Sequence, residues 1–179
     1  MTEIQKNMQQ LISKEELDKA FDSRFPKEMQ TKLREAKVAI AGLGGLGSNI
    51  AVMLARSGVG QLLLVDFDVV DVTNLNRQMY CIQHLGKPKA QALPEILYQI
   101  NPYINCQSRC VKVTEKNIQE LFLEYPIVCE AFDKPDQKAM LVREVLSRCP
   151  DTTVVSGNGM AGYGDANEIQ TIRKLSRLY

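Results

Sequence analysis

The sequence feature that most limits the possible folds is a glycine-rich segment, Gly42-Leu-Gly-Gly-Leu-Gly47, which follows an apolar run at residues 38–41. In a G-x-G-x-x-G pattern the first glycine permits a tight turn, the second lets a phosphate approach the backbone, and the third allows the next helix to pack closely. The N-terminus of that helix offers unpaired N–H groups and a positive dipole end to an anion. The segment therefore predicts a strand, a phosphate-binding turn and a helix.

Strand and helix patterns alternate along most of the remaining chain. Strands are predicted at residues 61–65, 105–111, 127–130 and 153–156, and helices at residues 88–100, 114–122 and 135–148. Pro94 falls inside one of these helices and is expected to kink it or delay its start. Such alternation with short connections is typical of an α/β fold, here a Rossmann-like, doubly wound and mainly parallel sheet that binds ligands beyond the carboxyl ends of its strands.

The chain is predicted to have an N-terminal helical arm, residues 1–36, followed by one domain, residues 37–179, as its length of 179 residues suggests. In the arm, Ser13 and Glu16 have the spacing of a capping box at the start of a helix. Arg24 lies at a junction between two predicted helices, where it could reach a phosphate or remain a solvated surface charge.

Charge and hydropathy exclude several classes of partner. The chain has 22 Lys and Arg against 21 Asp and Glu, a net charge of +1, so it lacks the excess needed to wrap nucleic acid or adhere to anionic lipid. No apolar run approaches the roughly 20 residues that span a bilayer, and the N-terminus lacks a signal-peptide pattern. We therefore expect a cytoplasmic protein with no nucleic-acid or membrane partner.

The cysteines and the single histidine are expected to be structural. The five cysteines are odd in number and contain no C-x-x-C pair, which argues against a disulfide framework and against bound zinc. They are Cys81, Cys106, Cys110, Cys129 and Cys149. Cys106 and Cys110 are predicted to lie on the same side of one strand among apolar neighbours. His84 is assigned no acid–base role.

The polar segment after the second strand bears on which nucleotide is bound. Asp66 follows Gly47 by 19 residues, which suits a carboxylate that accepts hydrogen bonds from ribose hydroxyls in either an NAD or an ATP site. Further carboxylates, amides and an arginine follow at Asp68, Asp71, Asn74, Arg77 and Gln78. A hydride-transfer enzyme would need an apolar nicotinamide pocket at this place, so the segment favours ATP.

Charged residues elsewhere extend the same interpretation. Arg77 is suited to bridging phosphate oxygens, and Lys89, near the start of the next helix, adds a second positive charge, although Lys87 lies close by and either lysine could be a solvated surface residue. Asp133 follows the strand at residues 127–130, at the edge of the sheet where a triphosphate site would place a Mg²⁺ carboxylate.

These motifs together resemble the ThiF/MoeB/HesA family of the ubiquitin-activating-enzyme superfamily, and most of all its short ThiF-type members of thiamine biosynthesis. The resemblance spans roughly residues 36–157 and rests on Gly42–Gly47, Asp66-Phe-Asp68, Asn74-Leu-Asn-Arg77-Gln78, Gly86-Lys-Pro-Lys89 and Asp133. It implies an ATP-binding homodimer that adenylates the C-terminal Gly-Gly carboxylate of a small ubiquitin-like, ThiS-like sulfur carrier and releases pyrophosphate.

The resemblance also assigns roles to individual positions. Asp66 would bind the ribose and Asp133 would bind Mg²⁺. The phosphates would be held by the glycines Gly42, Gly44, Gly45 and Gly47. The triphosphate would also be contacted by Asn74, Arg77, Gln78 and Lys89, with Asp68 beside them. Arg77, Lys89 and Asp133 would be the catalytic residues, with Arg77 acting across the dimer. Arg24 is a looser match to the family's N-terminal phosphate-binding arginine.

The sequence departs from the family pattern in two ways. It lacks the two zinc-binding C-x-x-C pairs and the downstream acceptor cysteine of many relatives, so neither zinc nor thiol transfer is predicted. It ends at Tyr179, where relatives usually continue, and the domain is therefore expected to be incomplete at its C-terminus or a minimal member. Two other functions stay open at this point: an NAD-binding oxidoreductase and a non-catalytic nucleotide-binding scaffold.

The last stretch carries two further predictions. Residues 157–164 are rich in glycine and are expected to form a mobile or ligand-contacting loop, along which an extended Gly-Gly terminus could lie. Residues 168–172 are predicted to form a short strand.

Overall fold

A computed structural model describes residues 2–157 and 165–179 of the chain. Apart from Gly157, the predicted loop at residues 157–164 lies outside the described residues. The fold is built on one parallel sheet of five strands in the order β3-β2-β1-β4-β5. The strands are β1 (Lys37–Ala41), β2 (Gln61–Val65), β3 (Asn105–Arg109), β4 (Ile127–Glu130) and β5 (Thr153–Ser156).

Strand β1 lies at the centre of the sheet and defines the point where the strand order reverses. Ala41, its last residue, is paired with Val65 of β2 on one side and with Glu130 of β4 on the other. All of the strand pairs are parallel, so their carboxyl ends meet at one edge. Ligands of open α/β sheets bind beyond that edge at the reversal point. The predicted Rossmann-like architecture is confirmed.

Helices cover both faces of the sheet. They are α1 (Glu3–Leu11), α2 (Lys14–Asp22), α3 (Lys27–Glu35), α4 (Gly45–Arg56), α5 (Lys89–Ile100), α6 (Ile118–Phe122) and α7 (Pro135–Arg148). Side chains of α4 and α5 pack with Ile40 in one apolar core, and those of α6 and α7 pack with Ala41 in a second. Because successive strand residues point to opposite faces, the uninterrupted apolar run at residues 38–41 of β1 is needed to serve both cores.

The N-terminal arm forms the three predicted helices. Ser13 and Glu16 exchange the hydrogen bonds of the predicted capping box, with Glu16 N–H donating to Ser13 Oγ at 3.2 Å. The arm is tied to the connection between α5 and β3, since the Gln5 side chain and the Tyr103 hydroxyl donate to Pro102 and Ile12 carbonyls. A cavity of about 200 Å³ between the arm and the amino ends of the strands is therefore on the opposite edge from the glycine turn.

Two local predictions were wrong. The helix predicted at residues 114–122 begins only at Ile118, because the Asn117 side chain accepts the Thr114 N–H at 2.8 Å and donates to Lys112, closing a turn instead. Helix α5 begins at Lys89 and continues through Pro94, so Pro94 does not delay its start, and the kink expected there stays a prediction.

The strand predicted at residues 168–172 does not form. Residues Ala166–Glu168 make a 3₁₀ turn, and the chain pairs with β5 only at its end. There Val154 N–H donates to the Arg177 carbonyl at 2.8 Å, and Tyr179 N–H donates back to Val154 at 2.9 Å. The Arg177 guanidinium fixes this pairing by donating to the carbonyls of Leu146, Cys149 and Thr152.

Candidate nucleotide-binding site

Two glycines of the turn, Gly42 and Gly47, pack at the end of β4 with no room for a side chain. Gly42 has a φ of +91°, in the left-handed region, and a Cβ there would lie 2.8 Å from the Ala131 carbonyl oxygen. A Cβ on Gly47 would lie only 1.8 Å from the Gly42 carbonyl oxygen. The first and third glycines thus hold the first turn of α4 against the strand, as the sequence pattern predicts.

The N-terminus of α4 presents an unsatisfied group of hydrogen-bonding atoms. Among the described residues, the N–H groups of Gly45, Leu46 and Gly47 have no acceptor. Gln78, which is only 8% exposed, faces this turn, and no described residue forms a hydrogen bond with its Oε1 atom. A buried polar atom without a partner is uncommon and indicates a missing ligand or water. The geometry therefore matches an anion site lined by an additional amide.

Asp66, the predicted ribose-binding residue, supports the glycine turn. Its Oδ2 atom accepts the Leu43 N–H at 2.6 Å and its Oδ1 atom accepts the Asp68 N–H at 2.8 Å. Each carboxylate oxygen retains one acceptor position, so a ribose hydroxyl can still be bound. Asp66 is 8% exposed and held rigidly.

Tyr80 is a second support that sequence reasoning missed. Its buried hydroxyl donates to the Leu43 carbonyl at 2.9 Å, opposite the bond from Asp66. Burial, with a smaller contribution from the Asp66 charge, raises the pKa of Tyr80 far above its usual value, so the hydroxyl remains a donor. Its sequence position two residues after Gln78 carries no signal of this contact.

The segment between β2 and α5 is folded back on itself by main-chain hydrogen bonds. Val70 N–H donates to the Lys87 carbonyl and Lys89 N–H to the Asp68 carbonyl, both at 2.8 Å. Lys89 Nζ also lies 3.4 Å from Asp68 Oδ2, and Lys89 is 6% exposed. The predicted phosphate lysine is thus buried beside a carboxylate at the carboxyl edge of the sheet, while Lys87 is half exposed and pairs with Glu95.

Arg77 lies next to the start of α4. A Cβ on Gly45 would be 3.5 Å from Arg77 Cγ, and the guanidinium donates to the Thr73 carbonyl at 3.0 Å. The Asn49 side chain joins the two segments by donating to the Gly45 and Arg77 carbonyls. Asn49 was not anticipated, since a helix residue of this type has no distinctive sequence signature.

Asn74 and Asp71 have a structural function in this segment. Asp71 accepts the Thr73 N–H at 2.9 Å, and Asn74 Oδ1 accepts the Asp71 N–H at 3.0 Å, capping the 3₁₀ turn Val72–Asn74. The hydrogen bonds from Thr73 hold the pKa of Asp71 below its usual value. The oxygen of Asn74 is therefore already engaged, although the residue lies in the segment predicted to face the triphosphate.

Asp133 is exposed and lies three residues beyond the end of β4. Among the described residues it makes no hydrogen bond or salt bridge, and no group of three His, Cys, Asp or Glu there could hold a metal ion. A single free carboxylate at this edge fits Mg²⁺, which is commonly bound by one or two carboxylates together with substrate phosphates. It does not fit an all-protein metal cage.

Arg24 is not brought to this site within one chain. It is exposed on the junction between α2 and α3, and its neighbours Asp22 and Phe25 line the cavity at the amino edge. Its assignment to phosphate binding therefore has no support from the geometry of a single chain.

The histidine and two of the cysteines, Cys129 and Cys149, are buried, whereas Cys81 and Cys110 are exposed. His84 is fully buried, and its Nδ1 atom accepts the Cys81 N–H at 2.9 Å. Burial raises the pKa of Cys106 to about 12 and that of Cys129 to about 11, which leaves both as unreactive thiols at neutral pH. The expectation that Cys110 shares a strand face with Cys106 was wrong, because β3 ends at Arg109 and Cys110 is exposed.

Comparison with known families decides the assignment. Residues 17–176, most of the chain, match the ThiF family. The chain belongs to the ThiF family. This ThiF-family chain is 39% identical over 116 residues to the molybdopterin-synthase adenylyltransferase of Haemophilus influenzae, covering 64% of the chain and 48% of that protein. It is 38% identical over 150 residues to the tRNA threonylcarbamoyladenosine dehydratase of Bacillus subtilis, covering 80% of the chain and 57% of that protein.

Solved structures agree with this placement. The Escherichia coli tRNA N6-threonylcarbamoyladenosine dehydratase in complex with ATP matches with a TM-score of 0.78 at 30% identity, over 85% of this chain and 63% of that chain. Escherichia coli MccB with ATP matches with a TM-score of 0.65 at 29% identity, over 72% of this chain and 39% of that chain. The ThiF-family chain spans about half the length of the curated relatives above. Within the part that the structure describes, no helix is long and apolar enough to cross a membrane.

Proposed function

We propose that this ThiF-family chain is an ATP-dependent adenylyltransferase that activates a carboxylate and releases pyrophosphate. The observation that carries the proposal is the set of N–H groups at the start of α4 that have no acceptor among the described residues, together with the buried Gln78 side chain that faces them and whose oxygen has no partner there either. That arrangement suits phosphate oxygens, and relatives with the same fold have been solved with ATP. The same polar surroundings disfavour the NAD-binding alternative.

For this reaction the protein needs mainly to position the two reactants and to neutralise their negative charge. A substrate carboxylate is ionised at neutral pH and can attack the α-phosphate without a general base, provided that the repulsion of two anions is offset. The N–H groups of α4 would bind phosphate and Asp66 would orient the ribose. Lys89 of the same chain and Arg77 of a second copy of the chain would neutralise the phosphate charge. Asp133 would hold Mg²⁺, which supplies further neutralising charge when bound.

The substrate that we propose is the C-terminal Gly-Gly carboxylate of a small ubiquitin-like sulfur carrier of the ThiS type. Support comes from the relatives named molybdopterin-synthase adenylyltransferase and adenylyltransferase and sulfurtransferase. From the sequence resemblance we also propose that the chain forms a homodimer, is cytoplasmic and acts in thiamine biosynthesis.

A second candidate substrate is a carboxylate carried by a modified tRNA nucleoside. The observation that favours it is the match to a tRNA threonylcarbamoyladenosine dehydratase, which covers 80% of this chain. The threonyl group of such a nucleoside bears a free carboxylate, so activation by ATP is the same reaction on a different target. The near-neutral charge of the chain, +1, favours the protein carrier, because tRNA binding depends on positive charge.

Exchange of labelled pyrophosphate into ATP tests these alternatives directly. We expect exchange with a carrier that ends in Gly-Gly and none with the same carrier lacking its last glycine. Exchange with threonylcarbamoyladenosine-modified tRNA instead would support the second substrate. ATP binding without exchange on any carboxylate would leave only a nucleotide-binding scaffold, and calorimetric preference for NAD over ATP would contradict adenylation altogether.

A further inference from the structure

A buried ion pair at the carboxyl edge of the sheet encloses the peptide group next to Asp133. Glu130, the fully buried last residue of β4, accepts the Phe132 N–H at 2.7 Å through Oε1. Lys138 donates from Nζ to the Phe132 carbonyl at 3.1 Å and to Glu130 Oε2 at 2.7 Å. Both polar groups of the Phe132 backbone are therefore held by one ion pair.

The same carboxylate connects neighbouring elements. The Ser156 hydroxyl, at the end of β5, donates to Glu130 Oε2 at 2.6 Å. Lys138 lies in the first turns of α7, so the pair joins the end of β4, the end of β5 and the start of α7. Only the segment 131–134 separates Glu130 from α7, which leaves Asp133 on a short connection fixed at both ends.

Stability alone is a poor explanation for this pair. Taking a carboxylate out of water is costly, and apolar residues of similar size in place of a buried ion pair often stabilise a protein as well or better. Asp133 itself is exposed and, within the described residues, has no contact that would orient it. What the ion pair does fix is the backbone next to Asp133, and with it the point from which the Asp133 side chain leaves the main chain.

We propose that Glu130 and Lys138 are positioning residues that aim the Asp133 carboxylate at the metal ion of a bound Mg²⁺–ATP. This inference rests on the proposed function, because it assigns Asp133 to the metal. Neither residue needs to touch the nucleotide. The role resembles that of the hydrogen-bond partners behind metal ligands, whose loss typically weakens metal binding while the ligand itself remains.

The test measures ATP affinity by calorimetry with and without Mg²⁺ on the full chain. In the wild type Mg²⁺ is expected to tighten ATP binding, and Asp133→Asn to remove that effect. Lys138→Met should reduce the Mg²⁺ effect by about tenfold while leaving the affinity for Mg²⁺-free ATP unchanged. Lys138→Arg, which keeps the charge, should restore much of it.

Two further variants make the outcome decisive. Lys138→Met leaves Glu130 buried and unpaired and could unfold the protein, so Glu130→Gln with Lys138→Met, which removes both charges, repeats the measurement. Arg148→Met removes a cation from the far end of the same helix, where Arg148 pairs with the buried Glu144 at 2.8 Å, and should change nothing.

The experiment distinguishes failure of the positioning role from failure of the proposed function. If Asp133→Asn abolishes the Mg²⁺ effect but the Lys138 variants retain it, the positioning role is overturned and the proposed function stands. If the wild type binds ATP equally well without Mg²⁺, both Asp133 as a ligand and its positioning are overturned. If the wild type does not bind ATP at all, the proposed function fails and this inference fails with it.

Discussion

At two positions of the glycine turn, 42 and 47, the space around the backbone is too small for any side chain, so only glycine fits. The Cβ of an alanine at position 47 would overlap the Gly42 carbonyl, and that carbonyl cannot move because Gly42 is itself packed against Ala131. Asp66 and Tyr80 then hold Leu43 from two sides, through its N–H and its carbonyl. The turn is thus shaped before a nucleotide arrives, and a preformed anion site loses less entropy on binding.

Gly47→Ala is predicted to destabilise the protein by about 2 kcal/mol or more, because backbone atoms must shift to relieve the overlap. Gly45→Ala is the matched control, since its Cβ would meet Arg77 Cγ at an ordinary 3.5 Å. Alanine at that helical position should be neutral or stabilising by up to about 1 kcal/mol. Urea unfolding of both variants measures the difference, and equal stabilities would contradict the packing argument.

At the scale of elements, the folded segment between β2 and α5 determines where Arg77, Gln78 and Lys89 lie. Its main chain is closed by the bond from Val70 to Lys87, and its interior is occupied by His84. His84 lies 3.8 Å from Glu95 and near Lys87, while its Nε2 atom has no hydrogen-bond partner within the described residues. Burial lowers the pKa of His84, and Lys87 adds to the shift while Glu95 opposes it.

This segment is predicted to lose stability in mild acid. Because the His84 pKa is lower in the folded than in the unfolded chain, where it is about 6.5, the unfolded chain binds more protons between the two values. The stabilisation is therefore complete above about pH 6.5 and is lost as the pH falls toward the folded pKa. Urea midpoints at about pH 7.5 and about pH 5.5 should differ more for the wild type than for His84→Gln. Equal pH dependence in both proteins would show that His84 does not titrate in this way.

At the scale of the whole molecule, the site gathers side chains from the carboxyl edges of β1, β2 and β4. Arg77 lies on the outside of this group and is exposed, and its hydrogen bonds within the described residues go to its own segment and to Asn49. That position is compatible with an arginine that serves a neighbouring copy, as the family resemblance implies. A C₂ dimer would then contain two sites, each with Asp133 of one chain and Arg77 of the other.

Mixing two inactive variants tests this arrangement. Arg77→Ala and Asp133→Asn should each abolish pyrophosphate exchange, and Arg77→Ala should leave ATP binding largely intact. After the two are unfolded and refolded together, about a quarter of wild-type exchange should return, because half of the dimers are mixed and each contains one intact site. Absence of recovery in a sample that is dimeric by sedimentation would place Arg77 in its own chain's site.

Local sequence alone determined most of the strands and helices and the position of the glycine turn. The β1–Gly42–α4 unit, the Ser13 capping box and helix Pro135–Arg148 were predictable because each depends on residues within a few positions of one another. The motif pattern likewise indicated a ThiF-family chain with Asp66, Arg77, Gln78, Lys89 and Asp133 at one edge of the sheet.

Tertiary structure alone decided which neighbours hold these residues in place and which of their side chains are already engaged in hydrogen bonds or ion pairs. The bond from Tyr80 to Leu43, the pairing of Lys89 with Asp68 and the enclosure of Phe132 by Glu130 and Lys138 join separate elements. Arg24 was likewise placed at the opposite edge by the packing of the arm. Such contacts depend on how whole faces pack against each other, so they leave no periodicity or spacing in the sequence from which they could be predicted.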